Sequence, residues 1–207
     1  KTRFKVGLVF QYPEYQLFEE TVEKDIAFGP RNLGMSEEEV KTAVAHAMEC
    51  VGLSDKYRKK SPFELSGGQK RRVAIAGVMA MQPKVLILDE PTAGLDPHGR
   101  DRILGVIKDY HKEKGSTVML VSHSMEDVAK TVSKILVMND SKVFMYDTPE
   151  RVFARVRELD DMGLTVPQIT RVFDRLKQSG VGFTDEVYST AYAKKLVLRL
   201  LAEKKVK

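Results

Sequence analysis

Val85-Leu86-Ile87-Leu88-Asp89-Glu90-Pro91 decides the fold. Its four consecutive apolar residues read as a buried strand of the kind found in parallel sheets. Asp89 closes the strand and Glu90 follows at once. Open α/β sheets bind ligands outside the C-terminal ends of their strands, so two carboxylates there point to chemistry and not to core. Downstream the patterns alternate. Ile103–Tyr110 reads as a helix, Thr117–Val121 as a strand and Met125–Val132 as a helix. Ile135–Met138 and Val143–Tyr146 form a predicted hairpin joined through Asn139-Asp140-Ser141. Such alternation predicts an α/β fold with a parallel sheet and an antiparallel edge.

Upstream, Phe4–Phe10 reads as another short buried strand, ending at Gln11-Tyr12-Pro13. Residues 14–82 are helical in pattern and rich in polar residues. Ser36 with Glu39 predicts a capping box. Val40, Ala43, Val44, Ala47, Met48 and Val51 follow as an apolar stripe closed by Gly52. A further helix is predicted from Ser66 past Ile75 to Met79, ending before Pro83. It opens with Leu65-Ser66-Gly67-Gly68-Gln69. Without side chains, Gly67 and Gly68 let a phosphate approach the backbone closely, and Ser66 offers a hydroxyl. A helix N-terminus presents free N–H groups to an anion.

Placement singles out further residues. Asp89 suits Mg²⁺ held through water, because that ion keeps part of its hydration shell. Glu90 is placed to polarise an attacking water as general base. Gln11, after the first strand, would reach the metal or that water. Asp96, in Ala93-Gly94-Leu95-Asp96, lies in a loop suited to crossing a dimer interface. His123 follows Val118–Ser122 at another strand's end, where it would hydrogen-bond a γ-phosphate. His46, His98 and His111 have no such placement and read as surface or satisfied residues. The single cysteine, Cys50, lies in an apolar helical stretch and reads as a packing residue; alone, it excludes an internal disulfide framework.

Apolar residues make up 43% and charged residues 30% of the chain, an ordinary globular balance. There is no secretory signal, and no apolar run approaches the length of a membrane span. Any membrane role is therefore expected to be peripheral. The net charge of +5 resides in residues 151–207, which carry 12 Lys+Arg against 7 Asp+Glu. These charges are interleaved with apolar residues at helical spacing and read as solvated helix faces, so no nucleic-acid partner is expected. Three helices are predicted in this region. One begins at Thr148-Pro149, one opens at Pro167 with Ile169, Val172, Phe173 and Leu176 on one face and Gly180 after its end, and one follows Thr184.

Gln11, LSGGQ at 65–69, ILDEP at 87–91, AGLD at 93–96 and SH at 122–123 resemble, in order, the Q-loop, signature, Walker B, D-loop and H-loop of ATP-binding-cassette (ABC) ATPases. Phe10–Glu14, Gln16-Leu17-Phe18, Phe28-Gly29-Pro30, Ser61–Glu64 and Arg71–Gly77 are similar to the ATPases of energy-coupling factor transporters, in particular their second ATPase type. The resemblance implies a RecA-like P-loop NTPase core with an inserted helical subdomain and a C-terminal helical extension. It divides the chain into a strand and Q-loop at 1–13, the helical subdomain at 14–82, the second half of the core at 83–148 and the extension at 149–207.

The same resemblance implies ATP and Mg²⁺ as cofactors, with Asp89 and Gln11 at the metal and Glu90, His123 and Gln11 catalytic. Ser66, Gly67, Gly68, Gln69 and Asp96 would contact nucleotide in trans. The implied partners are a paralogous ABC ATPase, a transmembrane coupling protein and a substrate-binding membrane subunit. They would form an importer of vitamins or transition-metal ions at the cytoplasmic face of the membrane. No G-x-x-x-x-G-K-[ST] phosphate loop occurs in the 207 residues, so an N-terminal part of the cassette is expected to be missing. Two alternatives remain at this level. One is a non-catalytic fragment supplying signature and D-loop to a partner; the other is a non-transport cassette acting on nucleic acid.

Overall fold

The computed structural model describes residues 2, 5–181, 183 and 186–205. The chain forms two compact units, Lys1–Ser122 and His123–Lys207. The first holds a three-stranded parallel sheet of β1 (Val6–Val9), β2 (Val85–Asp89) and β3 (Thr117–Val121), with β2 in the centre. Val6 pairs with Val85 and Val85 with Thr117, which aligns the C-terminal ends of all three strands. Phe4, expected to start the first strand, lies outside the described residues.

One face of this sheet is core. Val9, Leu86 and Leu88 are buried in a single cluster with Ile75 of α3 (Gly67–Met79) and Ile103, Ile107 and Tyr110 of α4 (Pro97–Lys114). Gly7 permits the closeness, since a Cβ there would stand 2.7 Å from Val78 Cγ1 and 2.9 Å from Pro83 Cγ. The other face differs from the sequence expectation of strands buried on both sides. Its row Leu8–Ile87–Met119 and the adjacent Val121 are half-buried or exposed, because α3 and α4 cover only the opposite face.

Between β1 and β2 the chain is helical. α1 (Val22–Asn32) is capped by Thr21, and α2 (Glu37–Cys50) carries the expected capping box. Ser36 Oγ accepts from the Glu39 N–H, and Glu39 Oε2 accepts from the Ser36 N–H at 2.8 Å. The expected stripe from Val40 to Val51 is buried throughout. The free carbonyls at the end of α2 are met by guanidinium groups. Arg72 donates to Val51 O and Gly52 O, and Arg102 donates to Gly52 O.

The second unit begins with α5 (Met125–Thr131) and the hairpin of β4 (Ile135–Asn139) and β5 (Lys142–Asp147). Asp140 and Ser141 both have positive φ, the backbone a two-residue hairpin turn demands. Among the described residues the hairpin is a two-stranded sheet of its own, and the three strands of the other sheet are all parallel. Four helices follow among the described residues: α6 (Pro149–Phe153), α7 (Val156–Asp161), α8 (Gln168–Gln178) and α9 (Thr190–Lys205). The extra one, α7, is too short for periodicity to reveal. Phe173 of the predicted α8 face is buried, while Val172 and Leu176 remain exposed. Thr184 lies outside the described residues. No helix among them is long and apolar enough to cross a membrane.

Candidate functional site

The parallel strands deliver Gln11, Asp89 and Glu90 to one sheet edge. Val9 is in register with Leu88, so Gln11 stands two residues beyond β1 where Asp89 ends β2. The Glu90 N–H donates to Val121 O at 2.9 Å, tying the turn after β2 to the last residue of β3. Glu90 has φ 48°. A non-glycine residue in this left-handed region is held there against a backbone cost, a condition that concentrates at functional sites. His123 follows β3 by two residues and opens the second unit.

The Leu65–Gln69 segment starts α3 through a second capping box. Ser66 Oγ accepts from the Gln69 N–H, and Gln69 Oε1 accepts from the Ser66 N–H at 2.9 Å. Gln69 Nε2 also donates to the Tyr57 hydroxyl at 3.0 Å. Gln69 therefore holds Ser66 in place. In that bond the Ser66 hydroxyl is the acceptor. A Cβ built on Gly67 or Gly68 would meet no atom within 4 Å, and neither glycine has a positive φ. No contact among the described residues requires glycine at these positions. Glycine is a poor helix former, so helix propensity does not account for the pair.

Asp96 is the N-cap of α4, its Oδ1 accepting from the Gly99 N–H at 2.6 Å, with Pro97 at the first helical position. The loop leading to it, Pro91–Leu95, turns through Gly94 at φ 72°.

Arg71 is the residue that sequence reasoning passed over. Its side chain is 3% exposed. Nε donates to Glu14 Oε2 at 2.9 Å, Nη2 to Glu14 Oε1 at 2.7 Å, and Nη1 to the carbonyls of Pro91 and Ala93. One guanidinium thus joins the signature helix, the segment after Gln11 and the loop after Glu90. Burial pushes the Glu14 carboxyl up, but the hydrogen bonds from Arg71 and from the Glu14 backbone, together with the Arg71 charge, outweigh it and hold the group below its ordinary value.

Beside this hub an open groove of about 590 Å³ runs between the segment after Gln11, α1 and α3. Leu17, Phe18, Phe28, Leu33, Val78 and Met81 give it apolar walls. Phe18 and Phe28 meet edge to face at 4.8 Å, and both are exposed. Asp25 accepts the N–H groups of Phe18 and Glu19, each at 3.0 Å, and fixes the Phe18 wall.

Comparison with known proteins bears on this arrangement. The ABC transporter family profile matches residues 1–93. The energy-coupling factor transporter ATP-binding protein EcfA2 of Clostridium tetani is 60% identical over 203 residues, covering 98% of this chain and 70% of that protein. The chain belongs to the ABC ATPases of energy-coupling factor transporters. Its similarity within this family is to the EcfA2 type, and the EcfA2 of Clostridium perfringens is 56% identical over 200 residues, 96% of this chain and 70% of the relative. A solved structure of cbiO1 from Clostridium perfringens, described as part of the ABC transporter complex cbiONQ, superposes with TM-score 0.68 at 40% identity. That match covers 76% of this chain and 64% of cbiO1. The ATP-binding cassette MJ0796, seen as a dimer with ADP and Pi, gives TM-score 0.59 at 28% identity over 70% of this chain and 62% of that one. The fold is thus that of ABC ATPases, a family of ATP-binding transport subunits.

Proposed function

We propose that this chain belongs to the ATP-hydrolysing machinery of an energy-coupling factor importer for vitamins or transition-metal ions, at the cytoplasmic face of the membrane. The observation that carries the reading is the convergence of Gln11, Asp89 and Glu90 on one sheet edge, tied to the signature helix through Arg71. The donor set there, two carboxylates and an amide at the ends of adjacent strands, fits a hard cation with oxygen ligands. Asp89, with Gln11, would hold Mg²⁺, which when bound neutralises charge on the β- and γ-phosphates of ATP. Glu90 accepts the proton of the attacking water, and Gln11 and His123 orient water and γ-phosphate.

Ser66, Gly67, Gly68 and Gln69, with Asp96 at the neighbouring loop, serve the ATP held by a paralogous ATPase. The open faces of both glycines support this assignment, because they leave room for a group from another molecule. The apolar groove beside Phe18 and Phe28 suits an amphipathic helix of the transmembrane coupling protein. A substrate-binding membrane subunit would complete the assembly. Residues 149–207, with exposed Val172, Leu176, Leu198 and Leu201, would add contacts between the two ATPases.

The test is Glu90→Gln in the full-length protein assembled with its partners. Turnover is expected to fall about 10²–10⁴-fold while ATP-dependent dimerisation persists. Undiminished ATP hydrolysis would remove Glu90 from its role.

A further inference from the structure

Away from the sheet edge, α2 and α4 bring together three side chains that the ATPase reading does not use. His46 and Cys50 are one turn apart on α2 and project side by side. Glu113, in the last turn of α4, faces both. His46 Nε2 stands 2.7 Å from Glu113 Oε1, while Cys50 Sγ lies 3.5 Å from His46 Nδ1 and 3.9 Å from Glu113 Oε2. One ligand atom from each residue fits within 4.8 Å of the others.

We propose that His46, Cys50 and Glu113 form a site for Zn²⁺ or a similar thiophilic divalent cation, which staples α2 to α4. Zinc–ligand bonds of about 2.0–2.3 Å at tetrahedral angles place neighbouring ligand atoms about 3.4–3.6 Å apart. With His46 Nε2 as the nitrogen ligand, the sulfur stands 3.7 Å from it and 3.9 Å from Glu113 Oε2, near that spacing, and the hydrogen bond between Nε2 and Glu113 has to give way to the ion. A thiolate, an imidazole and a carboxylate are the ligand types zinc takes, and three protein ligands leave one position for water. Loading the site releases the thiol proton to solvent.

A second observation points the same way. Tyr110 is 1% exposed, and its hydroxyl has no hydrogen-bond partner among the described residues. Tyr110 stands three residues before Glu113 on α4, on the same side of that helix. A buried donor without a partner is costly. A water on the metal, or the metal-bound carboxylate, would receive its proton in a hydrogen bond. Lys114 Nζ, 3.0 Å from Glu113 Oε1, competes for the same oxygen and limits the affinity.

The experiment is a Co²⁺ titration of the full-length reduced protein without nucleotide, followed by absorption. Within the sequence at hand Cys50 is the one cysteine, so a thiolate-to-cobalt charge-transfer band assigned by substitution identifies the site. One equivalent is expected to give that band, and Cys50→Ser to abolish it. His46→Gln and Glu113→Gln should each weaken binding at least tenfold. Zn²⁺ should displace the cobalt and raise the melting temperature of the parent protein but not of Cys50→Ser. The proposal is overturned if no band appears, or if the band survives Cys50→Ser or is unchanged by both other substitutions. None of these readouts depends on ATP hydrolysis.

Discussion

Arg71 and Glu14, 57 positions apart in the chain, meet in a two-pronged ion pair with contacts of 2.9 and 2.7 Å. Their side chains are 3% and 15% exposed, and the free edge of the guanidinium is spent on the carbonyls of Pro91 and Ala93. Removing one partner would leave the other charge buried without its counter-charge. Glu14→Ala should therefore destabilise the fold by roughly 3–5 kcal/mol in a denaturant titration. Because Arg71 also positions the loop after Glu90, Arg71→Met should lower turnover in the assembled complex even where the protein remains folded. A Glu14→Ala protein as stable as its parent would show that the pair contributes nothing.

The same pair sets an acid limit on stability. Glu14 titrates below its ordinary value of 4.5 in the folded chain, so its contribution is complete above that value and disappears as the pH falls through the lower folded one. Asp25 works in the opposite sense. Burial, only partly offset by the Phe18 and Glu19 N–H groups, raises its carboxyl, and its contribution is lost as the pH rises through that higher value. The stability difference between the parent and Glu14→Gln should thus be largest near neutrality and shrink below about pH 5. A difference independent of pH would exclude the ionised pair as its source.

Gly68→Ala separates fold from function. An alanine Cβ meets no atom within 4 Å and replaces a residue poorly suited to a helix. Stability should stay level or rise by up to about 1 kcal/mol. Turnover in the complex should fall, because the methyl group occupies the space that the partner's nucleotide needs. Full activity in a stabilised variant would sink the trans assignment.

How much of this was legible depended on separation along the chain. The Ser36–Glu39 box, the α2 stripe and the strand ending at Asp89 are local patterns, and each appears where the sequence places it. The Ser66–Gln69 box is equally local, but the two glycines drew the reading to the ligand and hid the structural task of Gln69. Arg71 with Glu14, and Glu113 with Cys50, depend on helices folding back over 57 and 63 positions. No spacing rule in a single sequence reports such pairs. Nor does a run such as Val85–Leu88 say which of its two faces is covered, and only one is.

The groove offers the last prediction. Phe18 and Phe28 are 56% and 46% exposed, yet they are ordered against each other at 4.8 Å, with Asp25 bonding the Phe18 N–H. Exposed aromatic pairs on the rim of an apolar groove have the character of binding anchors, where truncation typically costs at least about 2 kcal/mol. Phe28→Glu places a charge in that wall and removes little packing, so stability should change by less than about 1 kcal/mol. Affinity for the membrane coupling protein should fall at least about tenfold, measured by capture of the ATPase on that protein in detergent. ATP-dependent pairing of the two ATPases should persist, since the signature lies elsewhere on α3. If Phe28→Glu assembles with the membrane protein as tightly as its parent, the groove is not the docking site.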